Sequence, residues 1–364
     1  MRSVKGLRRV LRALAGTLLV LGAPAAAQAP VPMPGEVAVF GVEDAPISFL
    51  LRGATDLVSV RPLLEAFVET FPGLRVVFES WNTNELYRMS AEACRTGAAD
   101  ADLLMSSAVD QLVKLVNDGC AQPHRSLQTE ALPPSANWRD ELFGVTWEPA
   151  VIVYNTGLVP PDEVPRSRFD LIDLLRPEGS RYAGRVATYD IEASGVGYLF
   201  AFVDSQQATT FGSLIEAFGR SGAVATCCSA EIIEAVATGR YLVAYNVLGS
   251  YALAQAARDP RISVVAPEDY TLVLRRGAVI PRGAQNPQAA ATLIDFMLTE
   301  PGRAALAQTH LLARTEPGQR TGLELPESSD VAFREIPLSP VLLLGLDQQK
   351  RAGFLDLWRG TFSR

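Results

Sequence analysis

Histidine is nearly absent from this sequence, and the short motifs that identify common enzymes are missing. The 364 residues include two histidines, His124 and His310, and neither has the spacing of a metal ligand. There is no G-x-S-x-G nucleophile turn, no Walker phosphate loop and no complete G-x-G-x-x-G fingerprint. We therefore expect no metal site, no cofactor and no enzymatic activity.

Positive charge and long apolar runs are also scarce. Lys and Arg number 33 against 40 Asp and Glu, so the formal charge is −7, and no basic tail is present. Such a chain is a poor candidate for non-specific nucleic-acid binding. After the first 29 residues, no apolar run approaches the roughly 18 residues of a membrane span. Hydrophobic residues make up 48% of the chain, which is normal for a globular protein and excludes intrinsic disorder.

The N-terminal segment has the features of a secretory signal peptide. A basic start is followed by the apolar run Ala13–Gly22 and by small residues that end in Ala25-Ala26-Ala27. We expect cleavage after Ala27, which would remove residues 1–27 and place the mature protein in the periplasm. The 28 remaining Lys and Arg against 40 Asp and Glu give a formal charge near −12. An uncleaved amphipathic anchor is the alternative.

Four cysteines in an exported chain permit disulfides. Cys94 and Cys120 each follow a helical pattern, and we predict a disulfide between them, with two buried thiols as the alternative. Cys227 and Cys228 are adjacent in the sequence. Because a disulfide between neighbouring residues is uncommon, we expect two reduced, buried thiols there. Their position at the start of a predicted helix leaves open a reactive thiol, and with it an enzyme on the same fold.

Strand-like runs alternate with helical patterns along the chain, which predicts parallel sheets covered by helices. The first predicted strands are Ile47–Leu51, Leu74–Phe78 and Ala101–Met105. The helix after the first strand is expected to begin near Val60, with Pro62 in its first turn.

This alternation occurs in two stretches, which predicts two α/β lobes. An extended lead-in, residues 28–45, would precede them. The first lobe is predicted to comprise residues 46–147 and 276–320, and the second residues 148–275. Trp147–Tyr154 and Tyr270–Ile280 would be the strands that cross between the lobes, and residues 321–364 would form helices packed on them.

Four predicted strands end in short polar loops that open helices. These loops are Arg52–Asp56, Trp81–Asn84, Ser106-Ser107 and Ser194-Gly195. In an open α/β sheet, ligands bind beyond the carboxyl ends of the strands, where helix N-termini favour anions. Each loop alone is a weak signal, since Ser, Thr and Asn are ordinary helix caps. Together the four loops predict a ligand cleft shared by the two lobes.

The resemblance to a known family rests on three segments: Val145–Leu158, Tyr182–Gly195 and Arg276–Leu306. They are similar to type II periplasmic solute-binding proteins of ABC transporters, in the ferric-iron-binding-like branch. The resemblance implies a two-lobed α/β Venus-flytrap fold with two hinge strands. It also implies a monomeric, non-enzymatic protein that captures a small molecule in the interlobe cleft and delivers it to an inner-membrane ABC permease.

That branch includes binders of ferric iron and binders of phosphorylated or carboxylated molecules. The iron binders carry an adjacent tyrosine pair, and this chain has Val247–Gly249 at that place. The stretch Tyr245–Tyr251 instead resembles hexose-phosphate and phosphoglycerate-regulatory binding proteins, some of which serve a sensor kinase. The resemblance thus implies a small organic anion as the ligand. Ferric iron transport and sensory input to a histidine kinase are the alternatives.

On this basis we expect both lobes to contact the anion. Arg52 would bind phosphate or carboxylate, unless it pairs with Asp56. Glu148 would accept hydrogen bonds from ligand hydroxyls, unless it forms a salt bridge with Arg276, and Trp81 would line the cleft. The other expected ligand contacts are Thr55, Asn82, Ser106, Ser107, Ser194, Gly195, Asn246 and Tyr251.

Overall fold

Two mixed β-sheets and their connecting helices make up the computed structural model, which describes residues 33–207, 210–313, 322–324 and 332–362. The predicted signal peptide lies outside the described residues. The strands are β1 (Val37–Phe40), β2 (Ile47–Gly53), β3 (Leu74–Ser80), β4 (Leu103–Ser106), β5 (Ala121–Gln122), β6 (Asn137–Trp138), β7 (Leu142–Gly144), β8 (Glu148–Asn155), β9 (Val186–Tyr189), β10 (Val224–Thr226), β11 (Val243–Leu248), β12 (Ile262–Val265), β13 (Thr271–Leu274), β14 (Gly277–Pro281), β15 (Leu323–Glu324) and β16 (Phe333–Glu335). The helices are α1 (Leu57–Thr70), α2 (Thr83–Thr96), α3 (Val109–Asn117), α4 (Leu127–Glu130), α5 (Arg168–Leu175), α6 (Gly195–Gln207), α7 (Phe211–Ser221), α8 (Ser229–Ala237), α9 (Gly249–Ala256), α10 (Pro287–Leu298), α11 (Glu300–Gln308), α12 (Leu343–Leu346) and α13 (Gln348–Phe362).

The two sheets are built on the same plan. The first sheet has the strand order β1-β3-β2-β4-β14-β7-β6, with β5 paired to β14, and β2 runs parallel to both β3 and β4. The second sheet has the order β10-β9-β11-β8-β12-β15, with β13 between β8 and β16, and β9 runs parallel to both β10 and β11. Each sheet with the helices that connect its strands forms one lobe.

The chain crosses between the lobes twice within the predicted crossing segments. It leaves the first sheet after β7 and enters the second at β8, and it returns between β13 and β14. The segment Tyr270–Ile280, predicted as one strand, is two strands in different sheets. Arg275 and Arg276 separate them, because the chain must change sheets at that point.

Apolar side chains cover both faces of each sheet. Along β2, Phe49 enters one core cluster while its neighbour Leu50 packs against another. Along β11, Tyr245 enters a third cluster, and its neighbour Ala244 joins the one that Leu50 contacts. This alternation is that of strands buried on both sides. One core is therefore shared by the two lobes, and each lobe has a second core on the other face of its sheet.

The first helix starts earlier than the sequence predicted. α1 begins at Leu57, with Asp56 at its N-cap, rather than near Val60. Pro62 consequently lies in the second turn, where its missing N–H removes one backbone hydrogen bond. The buried residues of α1 follow the helical period and are Val60, Leu63, Leu64 and Phe67.

Both ends of the described chain contain strands that the sequence did not predict. Within the expected lead-in, β1 pairs antiparallel with β3. Within residues 321–364, β15 and β16 join the second sheet before α12 and α13 pack against α3 and α7. Trp358 is 5% exposed and Phe354 packs against the second-lobe core. These two aromatic residues therefore anchor α13 to the core.

The disulfide between Cys94 and Cys120 is confirmed, with 5.5 Å between the Cα atoms. The expectation of reduced thiols at Cys227 and Cys228 is wrong, because these residues are joined to each other. Cys228 has a φ of 72°, a conformation that no periodic pattern in the sequence signals. Within the described part of the chain, no helix combines the length and the apolar character needed to cross a bilayer.

A buried ion pair joins the two crossings. Arg276 precedes β14, Glu148 opens β8, and both are 0% exposed. Nε of Arg276 donates to Oε1 of Glu148 at 2.8 Å, and Nη2 donates to Oε2 at 3.1 Å. The hydroxyl of Thr146 also donates to Glu148, at 2.8 Å. Burial, the largest single effect, would lower the pKa of Arg276, but the interactions with Glu148, Tyr251 and Asp56 together raise it. The guanidinium of Arg276 therefore keeps its positive charge, and the carboxyl group of Glu148 is its salt-bridge partner.

We expect Arg276→Met to lower the free energy of unfolding by about 3–5 kcal/mol, because Glu148 is then buried without a counter-charge. Arg276→Met combined with Glu148→Leu removes both charges and should cost less than the single change. Urea unfolding followed by tryptophan fluorescence would measure both. Equal losses in the single and double variants would contradict this account.

A second buried carboxyl group lies in the first turn of α3. Asp110 is 2% exposed, and its Oδ1 has no hydrogen-bond partner among the described residues. Burial raises the pKa of Asp110 to about 7, against the opposing effects of backbone N–H groups and of Arg351 on α13. The phenols of Tyr87 on α2 and Tyr198 on α6 also interact electrostatically with Asp110. Asp110 therefore gains its charge near neutral pH at a place where helices from both lobes approach it.

The stability of the folded chain should consequently fall as the pH rises from about 4 to about 7, since the folded state holds the proton of Asp110 more tightly than the unfolded state. Asp110→Asn removes this contribution. We expect the free energy of unfolding of the variant to equal that of the wild type near pH 4.5 and to be higher by roughly a few kcal/mol at pH 8. Urea unfolding at both pH values would test this. Asp118→Asn, an exposed carboxylate just beyond α3, is the matched control and should not reproduce the pattern.

Candidate functional site

Six strand-to-helix turns meet between the two sheets. Three follow β2, β3 and β4 of the first sheet and open α1, α2 and α3. The other three follow β9, β10 and β11 of the second sheet and open α6, α8 and α9. Within each lobe these strands are parallel, so their carboxyl ends lie at one edge of the sheet. Four of the six turns were predicted from the sequence, and those after β10 and β11 were not.

A cavity of about 250 Å³ lies where these turns meet. Both lobes contribute to its wall, which presents hydroxyl, amide, carboxyl and guanidinium groups. The lining residues are Gly35, Ala54, Thr55, Asp56, Ser80, Trp81, Asn82, Thr83, Ser107, Tyr189, Ser194, Val196, Cys227, Cys228, Ser229, Ala230, Leu248, Tyr251 and Arg276.

The hydroxyl of Tyr251 links the lobes at one side of this cavity. It accepts a hydrogen bond from the backbone N–H of Asp56 at 3.1 Å and lies 3.4 Å from the hydroxyl of Thr55. Burial raises the pKa of Tyr251, so the phenol keeps its proton. Burial, and then the nearby charge of Glu36, raise the pKa of the Asp56 carboxyl, although Arg276 and Tyr251 act in the opposite direction. The first turn of the first lobe and α9 of the second lobe are thus in direct contact.

A second set of interlobe hydrogen bonds involves the turn before α2. Asn82 donates to the carbonyl of Ala193 at 3.2 Å, and Asn84 donates to the carbonyl of Glu192 at 3.0 Å. The N–H of Gly195 donates to the hydroxyl of Thr83 at 2.9 Å. A Cβ at position 195 would lie 2.9 Å from that hydroxyl, so the close approach requires glycine. These contacts hold the N-termini of α2 and α6 together.

Hydrogen bonds within the second lobe connect its own turns. The hydroxyls of Tyr189 and Ser229 are 2.6 Å apart, and the hydroxyl of Tyr189 accepts from the N–H of Leu248 at 3.1 Å. Burial raises the pKa of Tyr189 to about 12. The turns after β9, β10 and β11 are therefore held in one arrangement by a neutral phenol.

Arg276 of the buried ion pair lies at the wall of the cavity. Its Nη1 donates to the carbonyl of Ala54 at 2.8 Å, so it also supports the turn before α1. Arg276 is part of the cavity lining, whereas its partner Glu148 is not. Arg276 therefore places a buried positive charge at the cavity wall, while its three guanidinium nitrogens donate to Glu148 and Ala54.

The structure brings six of the expected site residues to the cavity wall: Thr55, Trp81, Asn82, Ser107, Ser194 and Tyr251. Arg52 is not among the lining residues, because its guanidinium pairs with Glu79 and Asp100, each at 2.9 Å. It does not pair with Asp56, the alternative considered for it. The arginine at the cavity is instead Arg276.

Four further residues that were expected to contact the ligand have other places in the structure. Glu148 forms the salt bridge with Arg276 that was the alternative for it. The hydroxyl of Ser106 accepts from the N–H of Ala108 at 3.1 Å. Gly195 donates to Thr83, as described above. Asn246 is 6% exposed and occupies a bulge in β11 with a φ of 61°. None of these four is a lining residue of the cavity as described.

Sequence reasoning missed several lining residues. Tyr189 ends β9, and Ser229 opens α8 directly after the Cys227–Cys228 disulfide. A serine at the start of a predicted helix, directly after a strand, was the available signal for Ser229. Arg276 gave no local signal, because it reaches the cavity only through the pairing of β14 with β4.

A larger cavity of about 400 Å³ adjoins the first, and Asp56, Ala230 and Tyr251 line both. We assign the candidate site to the smaller cavity because the six turns converge on that one. Among the residues that the structure covers, no three His, Cys, Asp or Glu side chains group in a way that could hold a metal ion.

Comparisons with solved structures agree with this architecture. The substrate binding protein of the ABC transporter from Agrobacterium tumefaciens is 32% identical, with a TM-score of 0.80 over 91% of this chain and 100% of that one. AfuA from Actinobacillus pleuropneumoniae, with fructose-6-phosphate bound, is 14% identical with a TM-score of 0.68, covering 87% of this chain and 99% of AfuA. Iron-bound HitA from Pseudomonas aeruginosa is 18% identical with a TM-score of 0.61, covering 72% of this chain and 84% of HitA. The last two likenesses establish the two-lobed fold alone.

None of the curated protein sequences matches this chain. The model of the family described as bacterial extracellular solute-binding protein matches residues 59–311, which is more than half of the sequence. Together with the 32% identity to the Agrobacterium protein, this match shows that the chain belongs to the family of bacterial extracellular solute-binding proteins.

Proposed function

We propose that this protein is a periplasmic receptor that captures a small, hydroxylated organic anion between its lobes and delivers it to an ABC permease. Sugar phosphates, phosphoglycerate and hydroxycarboxylates are the ligand classes that fit. One observation carries the proposal: six helix-opening turns and the guanidinium of Arg276 surround one cavity of about 250 Å³. A cavity of that size holds a ligand of the size of a metabolite rather than a macromolecule.

The anionic character of the ligand is supported by the hydrogen-bond donors of the wall. Thr55, Ser107 and Ser194 present hydroxyls, and helix N-termini contribute a partial positive charge. Arg276 adds a positive charge at the wall, paired with Glu148, in a buried setting where charge is weakly screened. The negative net charge of the chain does not oppose this, because surface charges beyond a Debye length of about 8 Å are screened by salt.

Hydroxyl groups on the ligand are supported by the acceptors in the same wall. Asp56 lines the cavity beside Tyr251, and a carboxyl oxygen accepts hydrogen bonds from sugar or hydroxyacid hydroxyls. A fully deprotonated inorganic anion such as sulfate would meet Asp56 with no donor to offer. The site therefore favours an anion with hydroxyls on its carbon skeleton, which agrees with the hexose-phosphate and phosphoglycerate subgroup inferred from the sequence.

Ferric iron is the second candidate, because Tyr189, Tyr251 and Asp56 bring oxygen atoms to the cavity. Iron binding to tyrosine requires phenolates. Here burial raises the pKa of both phenols and outweighs the backbone hydrogen bonds that they accept, which act in the opposite direction, so the neutral form is favoured. We therefore rank iron below the organic anion. A sensor kinase as the partner in place of the permease would use the same cavity.

A thermal-shift panel on the mature chain would test the proposal. The probes are fructose 6-phosphate, 3-phosphoglycerate, citrate, inorganic phosphate and ferric citrate. We expect a hydroxylated organic anion to raise the melting temperature by several degrees, since a ligand at 100 times its Kd adds about 2.7 kcal/mol. A shift with ferric citrate alone, accompanied by a visible charge-transfer colour, would favour iron. No shift with any of the probes would count against the proposed ligand class.

Thr55→Ala and Ser107→Ala each remove one hydroxyl from the cavity wall. We expect each to weaken binding of the organic anion by about 3- to 10-fold, the effect of about 1 kcal/mol for one hydrogen bond. Isothermal titration calorimetry would measure the affinity. Thr70→Ala removes a hydroxyl at the end of α1, away from the cavity, and should leave binding unchanged. Equal affinities for all three variants would contradict the assignment of the site.

A further inference from the structure

The disulfide between Cys227 and Cys228 lies in the turn from β10 to α8, and both residues line the ligand cavity. The other disulfide is placed differently. Cys94 is in α2 and Cys120 precedes β5, and the pair lines a separate cavity of the first lobe. The structure thus contains one disulfide at the candidate site and one remote from it.

The backbone at Cys228 has an unusual conformation. Its φ of 72° lies in the left-handed region, which is unfavourable for a residue with a Cβ. Cys228 is also the N-cap of α8, and its carbonyl accepts from the N–H of Ile232 at 3.1 Å. The conformation of Cys228 therefore sets the direction of the first turn of α8.

That first turn is connected to the rest of the cavity. Ser229, next to Cys228, is 8% exposed and bonds the hydroxyl of Tyr189. Tyr189 accepts from Leu248, the N-cap of α9. α9 carries Tyr251, whose hydroxyl meets Asp56 of the first lobe. A displacement at Cys228 would consequently reach three turns of the second lobe and one contact between the lobes.

We propose that the Cys227–Cys228 disulfide is a positioning element of the ligand site: it closes a ring over one peptide bond, holds Cys228 in the left-handed conformation, and so keeps α8 in the arrangement that binds ligand. This inference rests on the proposed function as far as the ligand is concerned. Its corollary is that cleavage of this bond weakens binding.

The cleavage reaction is ordinary thiol–disulfide exchange. A thiolate of dithiothreitol attacks one cystine sulfur and forms a mixed disulfide, and the other cysteine leaves as a thiolate. The second thiol of dithiothreitol then closes its own cyclic disulfide and releases the first cysteine. Two electrons and two protons pass to the protein in total, which adds 2 Da for each disulfide cleaved.

A cysteine variant isolates the relevant bond. In Cys94→Ala/Cys120→Ala the Cys227–Cys228 bond is the one disulfide left, so dithiothreitol acts on it alone. We expect this variant, when reduced, to bind fructose 6-phosphate, 3-phosphoglycerate or citrate at least 5-fold more weakly than when oxidised. Reoxidation should restore the affinity. Unchanged affinity after complete reduction, as verified by mass, would overturn the proposal.

Two further variants separate backbone positioning from a general loss of structure. Cys227→Ala/Cys228→Ala should bind at least 5-fold more weakly and should not respond to dithiothreitol. Cys227→Ala/Cys228→Gly should recover most of the affinity, because glycine adopts a positive φ readily. Ligand-free melting temperatures should fall for Cys94→Ala/Cys120→Ala, which opens a long loop, and change little for the other two. Failure of the glycine variant to bind better than the alanine variant would contradict backbone positioning.

Hydrogen exchange provides a readout that needs no ligand. Reduction of Cys94→Ala/Cys120→Ala should raise amide exchange at residues 229–232 at least 10-fold and leave exchange in α1 unchanged. The same exchange before and after reduction would overturn the role of the disulfide. If exchange rises but none of the three probes binds the oxidised wild-type chain, the positioning role is supported and the proposed ligand class fails.

Discussion

The connection between the two lobes depends on the buried ion pair of Arg276 and Glu148. Arg276 belongs to the return crossing and Glu148 to the outgoing one, so their two hydrogen bonds tie both crossings together. Each charge is sustainable at 0% exposure only because the other is present. Arg276 also holds the carbonyl of Ala54, which fixes the turn before α1. The contacts of one buried arginine thus connect the two crossings and support one wall of the cavity.

Around this hinge the same arrangement is built twice from unrelated sequences. Each lobe has three parallel strands whose turns open helices toward the cavity, and no internal repeat is visible in the sequence. The sheet dictates where these turns lie, whereas the side chains in the turns decide what can be bound. Hydroxyls and amides dominate in the first lobe, and two phenols, two serines and a disulfide in the second. The fold therefore sets where the turns around the cavity lie, and the side chains in those turns set which ligand is bound.

The parts that could be predicted from the sequence are those that periodicity and turn residues control. Alternating strands and helices, the crossings and five residues of the candidate cavity wall followed from them, whereas Tyr251 was expected from the family resemblance. Arg52 shows why the rest did not. It lies directly opposite Glu79 in the β2–β3 pairing, and register between strands is not readable from either strand alone. Arg276 reaches the cavity for the same reason, through β14. Cys228 and Asn246 depend on positive φ angles, which no hydrophobic pattern encodes.

The hydrogen bonds between the lobes near the cavity are individually weak. Near the cavity they are hydrogen bonds between neutral groups, such as Tyr251 with Asp56 and Gly195 with Thr83. Each adds only about 0.5–1.5 kcal/mol net, because the same groups bond water when the lobes separate. These bonds therefore add little to the apolar core that the two lobes share. Under the proposed function, a ligand that contacts both walls would supply the differential affinity that favours a closed arrangement, and a solute bound by one lobe alone would supply none. Closure would then report that the cavity holds a ligand able to reach both walls.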